Sequence, residues 1–184
     1  YPDATDDADA LSDLRHGVAP LDGVPSLRAQ YGADEVVLMR AHTPGSDSCG
    51  TTFIMGYDLA PITVADAVRA FAVIDDAADG SCFSLPDYGL AEVLGQNYGL
   101  RSENTQSGSG PYPFSYAYRV DTPGGAYPTK GTLEATSYPG YAWPYFSNPD
   151  IDLCDGPCGV PGQSDAARSL NLTLPTIAAF EPTR

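Results

Sequence analysis

Residues 24–43, VPSLRAQYGADEVVLMRAHT, predict a short helix, a glycine stop at Gly32 and a strand over Glu35–Ala41. Val36, Val37, Leu38 and Met39 form an uninterrupted apolar run, the pattern of a central strand covered on both faces. A second strand is predicted over TTFIMGY (51–57), where β-branched and aromatic residues lie between glycines. VRAFAVID (68–75) reads as a third; helix competes over Thr63–Phe71, because Val64, Ala67 and Val68 share a helical face. The best-marked helix covers residues 85–98. Ser84 can cap it, Pro86 suits the first turn, and Asp87 falls three after the serine, as in an acidic capping box. Leu90, Val93, Leu94 and Asn97 or Tyr98 continue at helical spacing, and Gly99 offers a left-handed exit. Residues 107–145 are rich in Gly, Pro and Tyr, with little regular structure expected. QSDAARSLNLTLPTIAAFEP then predicts a closing amphipathic helix, with Ala166, Ala167, Leu170 and Ile177 to Phe180 facing inward.

At 184 residues and 42% hydrophobic content the chain can bury a core as one ordinary domain. Three regions are expected: an acidic N-terminal arm at 1–23, a sheet and helix subdomain at 24–99, and a loop-rich subdomain at 100–184. The arm is expected to be solvated, since Asp3, Asp6, Asp7, Asp9 and Asp13 crowd its start. Formal net charge is −15, with Lys130 the only lysine, which disfavours nucleic acid and anionic membrane surfaces as partners. No apolar run approaches the roughly 18–20 residues that cross a bilayer, so no membrane insertion is expected. Tyr1 reads as a processed or truncated start, so an N-terminal piece is expected to be missing. Cys49, Cys82, Cys154 and Cys158 contain no CxxC pair and lie away from His16 and His42, which speaks against a zinc knuckle. Pairing of Cys49 with Cys82 and of Cys154 with Cys158 is expected, in a secreted, periplasmic or extracellular setting. Asp150, Asp152 and Asp155 in DIDLCDG are the only calcium candidates considered; a solvated acidic loop is the competing reading.

In their order along the chain, several stretches resemble the reprolysin-like branch of the metzincin zinc proteases, in its secreted bacterial form. LRAQYGADEVVLMR is similar to that family's helix and core strand, and SCGTTFIMGY to the edge strand along its substrate cleft. GQNYGLRSE resembles the second half of the motif HExxHxxGxxHD. YFSNPDI and GVPGQSDAARSLNLTLPTIAAF resemble the segment after the methionine turn and the closing helix. The resemblance implies an α/β fold, a twisted mixed sheet with the active-site-type helix behind it. The family's first strand, first long helix and second strand find no counterpart.

Aligned on Gly95 and Gly99, the family's first histidine falls on Glu92, its catalytic glutamate on Val93 and its second histidine on Gln96. The third histidine falls on Ser102, the following aspartate on Glu103 and the turn methionine on Glu134. Zinc sites of this kind take three strong donors and keep one position open for water. An amide and a hydroxyl are poor substitutes, and Val93 cannot accept a proton from water. The resemblance thus implies a catalytically inactive relative, with no cofactor, acting as an extracytoplasmic structural or protein-binding subunit. Its partner would be another protein, a larger assembly or its own missing N-terminal segment. The binding surface expected is the edge strand Thr51, Thr52, Phe53, Ile54, Met55 and Tyr57, flanked by Thr136, Tyr138 and Tyr141. The alternative is a hydrolase with replaced chemistry, using Glu92 paired with Glu103 or Glu134.

Overall fold

A computed structural model gives a mixed α/β protein of small sheets and several helices, and describes residues 1–3, 5–42, 49–76, 88–103, 108–122, 124–126, 129–135 and 141–182. The chain divides into two compact units. One comprises Tyr1–Phe53, Thr63–Asn97 and Pro175–Arg184; the other comprises Ile54–Ile62 and Tyr98–Leu174.

The first unit opens with helix α1, Asp7–His16, in the region expected as a solvated arm. Asp6 caps it, its carboxylate accepting from the Ala8 N–H at 2.8 Å. Most of the acids face outward, while Ala10, Leu11 and Leu14 are buried against Phe71 and Val73. Asp7 turns inward to Arg40, whose Nε donates to Asp75 at 2.9 Å and whose Nη1 donates to the Thr5 carbonyl at 2.6 Å. The expectation of an arm fails because apolar positions three or four apart bury a helical stripe whatever covers the opposite face.

Helix α2, Val24–Tyr31, stops at Gly32 as predicted and leads into β1, Val36–Ala41. With β2, Gly50–Thr52, and β3, Phe71–Asp76, it forms a sheet ordered β1-β3-β2. β1 runs parallel to β3 with Val36 opposite Phe71, and β2 runs antiparallel with Gly50 opposite Ile74. Among the described residues the fully covered strand is therefore β3, not β1, which lies at an edge with Met39 63% exposed. The predicted strand over 51–57 ends at Thr52, and Tyr57–Leu59 form a 3-10 turn instead. Both readings of the next stretch are realised in succession. A 3-10 helix over Val64–Arg69, with a Thr63–Asp66 capping box, runs into β3.

Helix α3 spans Gly89–Asn97, within the predicted range; its expected cap residues Ser84, Pro86 and Asp87 lie outside the described residues. It packs close behind the sheet at Gly50, where a Cβ would stand 2.6 Å from the Val73 carbonyl oxygen and 3.3 Å from Val93 Cγ2. Only glycine leaves room for that approach.

In the second unit, Gly99 takes φ +87°, and a Cβ there would lie 2.5 Å from Pro111 and 2.6 Å from the Met55 carbonyl oxygen. Beyond it, β4 (Arg119–Asp121), β5 (Thr129–Gly131) and β6 (Tyr141–Ala142) form a small sheet in that order. β7 (Asn148–Asp152) pairs with β8 (Pro157–Cys158), and the expected Cys154–Cys158 disulfide closes that hairpin. Trp143 packs on this disulfide with Val120 and Ile151. Cys49 is also disulfide-bonded, while its expected partner Cys82 lies outside the described residues.

Helix α4, Ala166–Ile177, begins where Asp165 Oδ1 accepts from the Arg168 N–H at 3.1 Å. Ser147 Oγ accepts from the Ala166 N–H at 2.8 Å and donates to the Tyr116 carbonyl at 2.6 Å. Of the residues predicted inward, Ala166, Ile177 and Phe180 are buried, whereas Ala167 and Leu170 are half-buried. Small hydroxyls fill the difference: Ser169 and Thr173 are buried, and Ser169 Oγ lies 2.8 Å from Ser115 Oγ. Among the described residues no helix is long and apolar enough to cross a membrane.

Candidate functional site

The positions singled out by the resemblance divide between the two units. Glu92, Val93 and Gln96 lie on α3 in the first; Ser102, Glu103 and Glu134 belong to the second. Val93 is 3% exposed and fills the interior behind Gly50. Glu92 and Gln96 are half-buried, and burial raises the Glu92 carboxyl above its ordinary pKa, favouring the neutral form. Glu92 could supply one carboxylate, but a neutral amide and a hydroxyl are weak zinc donors. The hydrocarbon at 93 can take no proton. These residues do not fit the metal or the general base of the family.

The carboxylate pairs considered for replaced chemistry are likewise divided, with Glu92 in one unit and both Glu103 and Glu134 in the other. Glu103 is buried and already engaged, its Oε1 accepting from Arg119 Nη1 at 3.2 Å. Arg119 Nε donates to Asp121 at 3.0 Å, and hydrogen bonds to Asp121 and then Glu103 raise the guanidinium pKa further. With Tyr118, Gln163 and Ser164 these groups line a polar cleft of about 390 Å³ in the second unit. Sequence patterning does not mark this cleft, since Glu103 and Arg119 are sixteen residues apart without a shared motif.

Of the residues expected along the edge strand, Thr51 and Thr52 lie on β2. In the antiparallel pairing of β2 with β3, the Asp75 N–H donates to the Cys49 carbonyl at 3.0 Å. Antiparallel alternation then makes Thr51 and Val73 a hydrogen-bonded pair and directs the N–H and C=O of Gly50 and Thr52 outward. Among the described residues no strand pairs with that outer side. The edge is bounded at Phe53, whose carbonyl accepts from Asn97 Nδ2 at 2.8 Å and whose ring lies under Arg15. Ile54, Met55 and Tyr57 belong to the second unit, where Met55 is fully buried and offers no contact surface, a correction to its expected role. Tyr57 is exposed with the Arg101 guanidinium 5.4 Å from its ring centroid. Thr136 and Tyr138 lie outside the described residues.

Tyr141 is exposed and meets Trp143 edge-on at 6.3 Å. With Tyr145, Leu153, Lys130 and Asp155 these rings line a shallow groove of about 420 Å³ in the second unit. Asp155 is held by Lys130, and no group of three acids among the described residues is arranged to hold a metal. Asp150, Asp152 and Asp155 are thus not gathered into the calcium site considered above.

A further group was not anticipated. Glu35 stands at the head of β1, beside a groove of about 300 Å³ formed by α2 and β1 within the first unit. Burial pushes its carboxyl up to about 8, against the pull of the Arg28 charge and the Val36 amide. The only sequence signal is the second of two adjacent acids, Asp34 and Glu35, directly before a continuous apolar run.

No family model and no curated protein matches this chain. Among solved structures, one described as "Structure of a chaperone-substrate complex" is similar in fold, with a TM-score of 0.65 and 19% sequence identity. The similarity covers 100% of this chain but 27% of that one, so this chain spans about a quarter of its neighbour's length.

Proposed function

We propose that this protein is a non-catalytic, extracytoplasmic protein-binding or structural subunit built on a metzincin-like frame. The observation that carries the reading is Val93, a buried hydrocarbon packed behind β2 where the resemblance would put the base that activates water. Selection for hydrolysis would not leave the proton acceptor as part of the apolar interior. The replaced ligand positions agree, because none of Glu92, Gln96 and Ser102 supplies a strong nitrogen or sulfur donor. What remains usable is main chain: the outward groups of Gly50 and Thr52 can add an extended segment from a partner. The structural neighbour is described as a chaperone–substrate complex, so a chain of similar fold occurs in an assembly of proteins.

Two variants at one position test the edge. Thr52→Ala truncates the side chain and keeps the main-chain N–H, whereas Thr52→Pro also removes the outward N–H while leaving the Thr51 pairing in place. In native mass measurements on protein taken from its source, companions should persist with alanine and be lost with proline. A wild-type chain that runs without companions, or that cleaves casein in a zinc-dependent way, would remove the proposal.

A further inference from the structure

The groove between α2 and β1 has walls of one kind and a floor of another. Val24, Leu27 and Tyr31 from α2 and Val36 and Val37 from β1 make it apolar, with Leu27 49% and Tyr31 73% exposed. Along it, β1 carries the side-chain pattern of a strand covered on both faces, yet among the described residues it occupies the edge of its sheet, with its first three residues only half-buried. Edge strands are ordinarily blunted by charge or proline, and Val36–Met39 has neither.

The floor holds an acid without a match. Both carboxylate oxygens of Glu35 are shielded from solvent, and neither makes a hydrogen bond of ordinary geometry. The nearest cation, Arg28, is directed elsewhere. Its Nε donates to the Ala33 carbonyl at 3.0 Å, Nη1 to Ala67 at 2.8 Å and Nη2 to Asp34 at 3.0 Å, with Glu181 Oε1 at 3.5 Å from Nε. A buried polar group in this state costs stability, and a cation placed on it would recover that cost. An aliphatic stem tipped by a positive charge matches both walls and floor, and of the two such side chains lysine brings the compact ammonium, arginine the broader planar guanidinium. The chain itself is a poor source, having one lysine, already paired with Asp155, and a net charge of −15 that opposes a second copy.

We propose that this groove receives an extended segment of a basic partner protein, its backbone along the outer edge of β1 and a lysine ammonium seated on Glu35. The site is distinct from the β2 edge and does not depend on it. Docking would ionise Glu35 and release its proton. The charged and titratable groups around it are Arg28 and Tyr31 from α2, Asp34 from the turn and Glu181 from the C-terminal segment. None of these replaces the ammonium as its partner.

The probe is a blocked hexapeptide, Val-Thr-Val-Lys-Val-Thr, compared by titration calorimetry near pH 7 with the same peptide carrying glutamine for lysine. In buffers of different ionisation enthalpy, the lysine peptide should bind at least roughly tenfold more tightly and release about one proton, as expected for a charge-assisted hydrogen bond. Glu35→Gln should remove both the preference and the proton release. Leu27→Ser, on the exposed wall, should weaken both peptides without unfolding the protein, so the outcome does not hang on one variant. Equal affinity for the two peptides, no binding by either, or proton release that persists in Glu35→Gln would each overturn the assignment.

Discussion

Asn97 has no exposed surface, and its amide nitrogen lies 2.8 Å from Thr52 Oγ1, 2.8 Å from the Phe53 carbonyl oxygen and 2.9 Å from that of Arg69. One donor group thus ties the end of β2 to the turn before β3. Replacing it by aspartate would set a negative oxygen against three acceptors, so Asn97→Asp should destabilise the protein by about 3 kcal/mol or more at neutral pH, beyond the cost of a simple lost hydrogen bond. Urea midpoints for Asn97→Asp and Asn97→Leu check this. The leucine variant should be the less damaging, because it removes the polar group instead of inverting it. As pH falls through the carboxyl's range, the aspartate variant should recover part of its loss by gaining a donor proton. Helical spacing had already placed Asn97 at the inner end of α3. The three acceptors it serves come from two separate segments, and spacing along one helix carries no information about them.

At the scale of elements, α1 separates what composition suggests from what packing requires. Its acids suggested a solvated arm, yet Leu14 is 2% exposed and Arg40 clamps the helix start through Asp7. Leu14→Ala should cost about 2–5 kcal/mol, the range for emptying a buried leucine site. A frayed arm would lose almost nothing, so thermal melting of this one variant separates the two descriptions. The expectations that the structure bears out rest on local chemistry: Gly32 ending α2, Gly99 leaving α3, and the 3.6-residue recurrence of α4. Those that failed rest on neighbours. Nothing in VVLM says whether a strand lies on each side of β1, and nothing in TTFIMGY says that pairing stops at Thr52. Likewise, the six positions taken from the resemblance are legible one by one. Their division between two units depends on segments far apart in sequence, whereas the Glu35 groove is built within residues 24–37, by a turn that no periodicity marks.

For the whole molecule, two electrostatic effects push stability in the same direction as pH rises, and salt separates them. The first is the mutual repulsion of 24 acidic side chains against 9 basic ones. It acts over distances comparable with the Debye length, about 10 Å at 0.1 M salt and about 3 Å at 1 M, so concentrated salt suppresses it. The second is the burial of Glu35. Its folded pKa of about 8 lies above the ordinary carboxyl value, so the unfolded chain loses this proton first. Stability is undiminished below the unfolded pKa, falls as pH rises between the two values, and levels off above the folded one. The full effect is on the order of 5 kcal/mol. Because it arises from desolvation of the carboxyl itself, screening leaves it in place. Raising sodium chloride from about 0.05 M to about 1 M near pH 8 should therefore stabilise wild type and Glu35→Gln by similar amounts. The variant should remain the more stable protein at both salt concentrations, and the gap should close near pH 4. If the gap closes with salt instead, the field of the acidic surface raises the Glu35 pKa, and the carboxyl is not the uncompensated group that would draw a lysine to the groove.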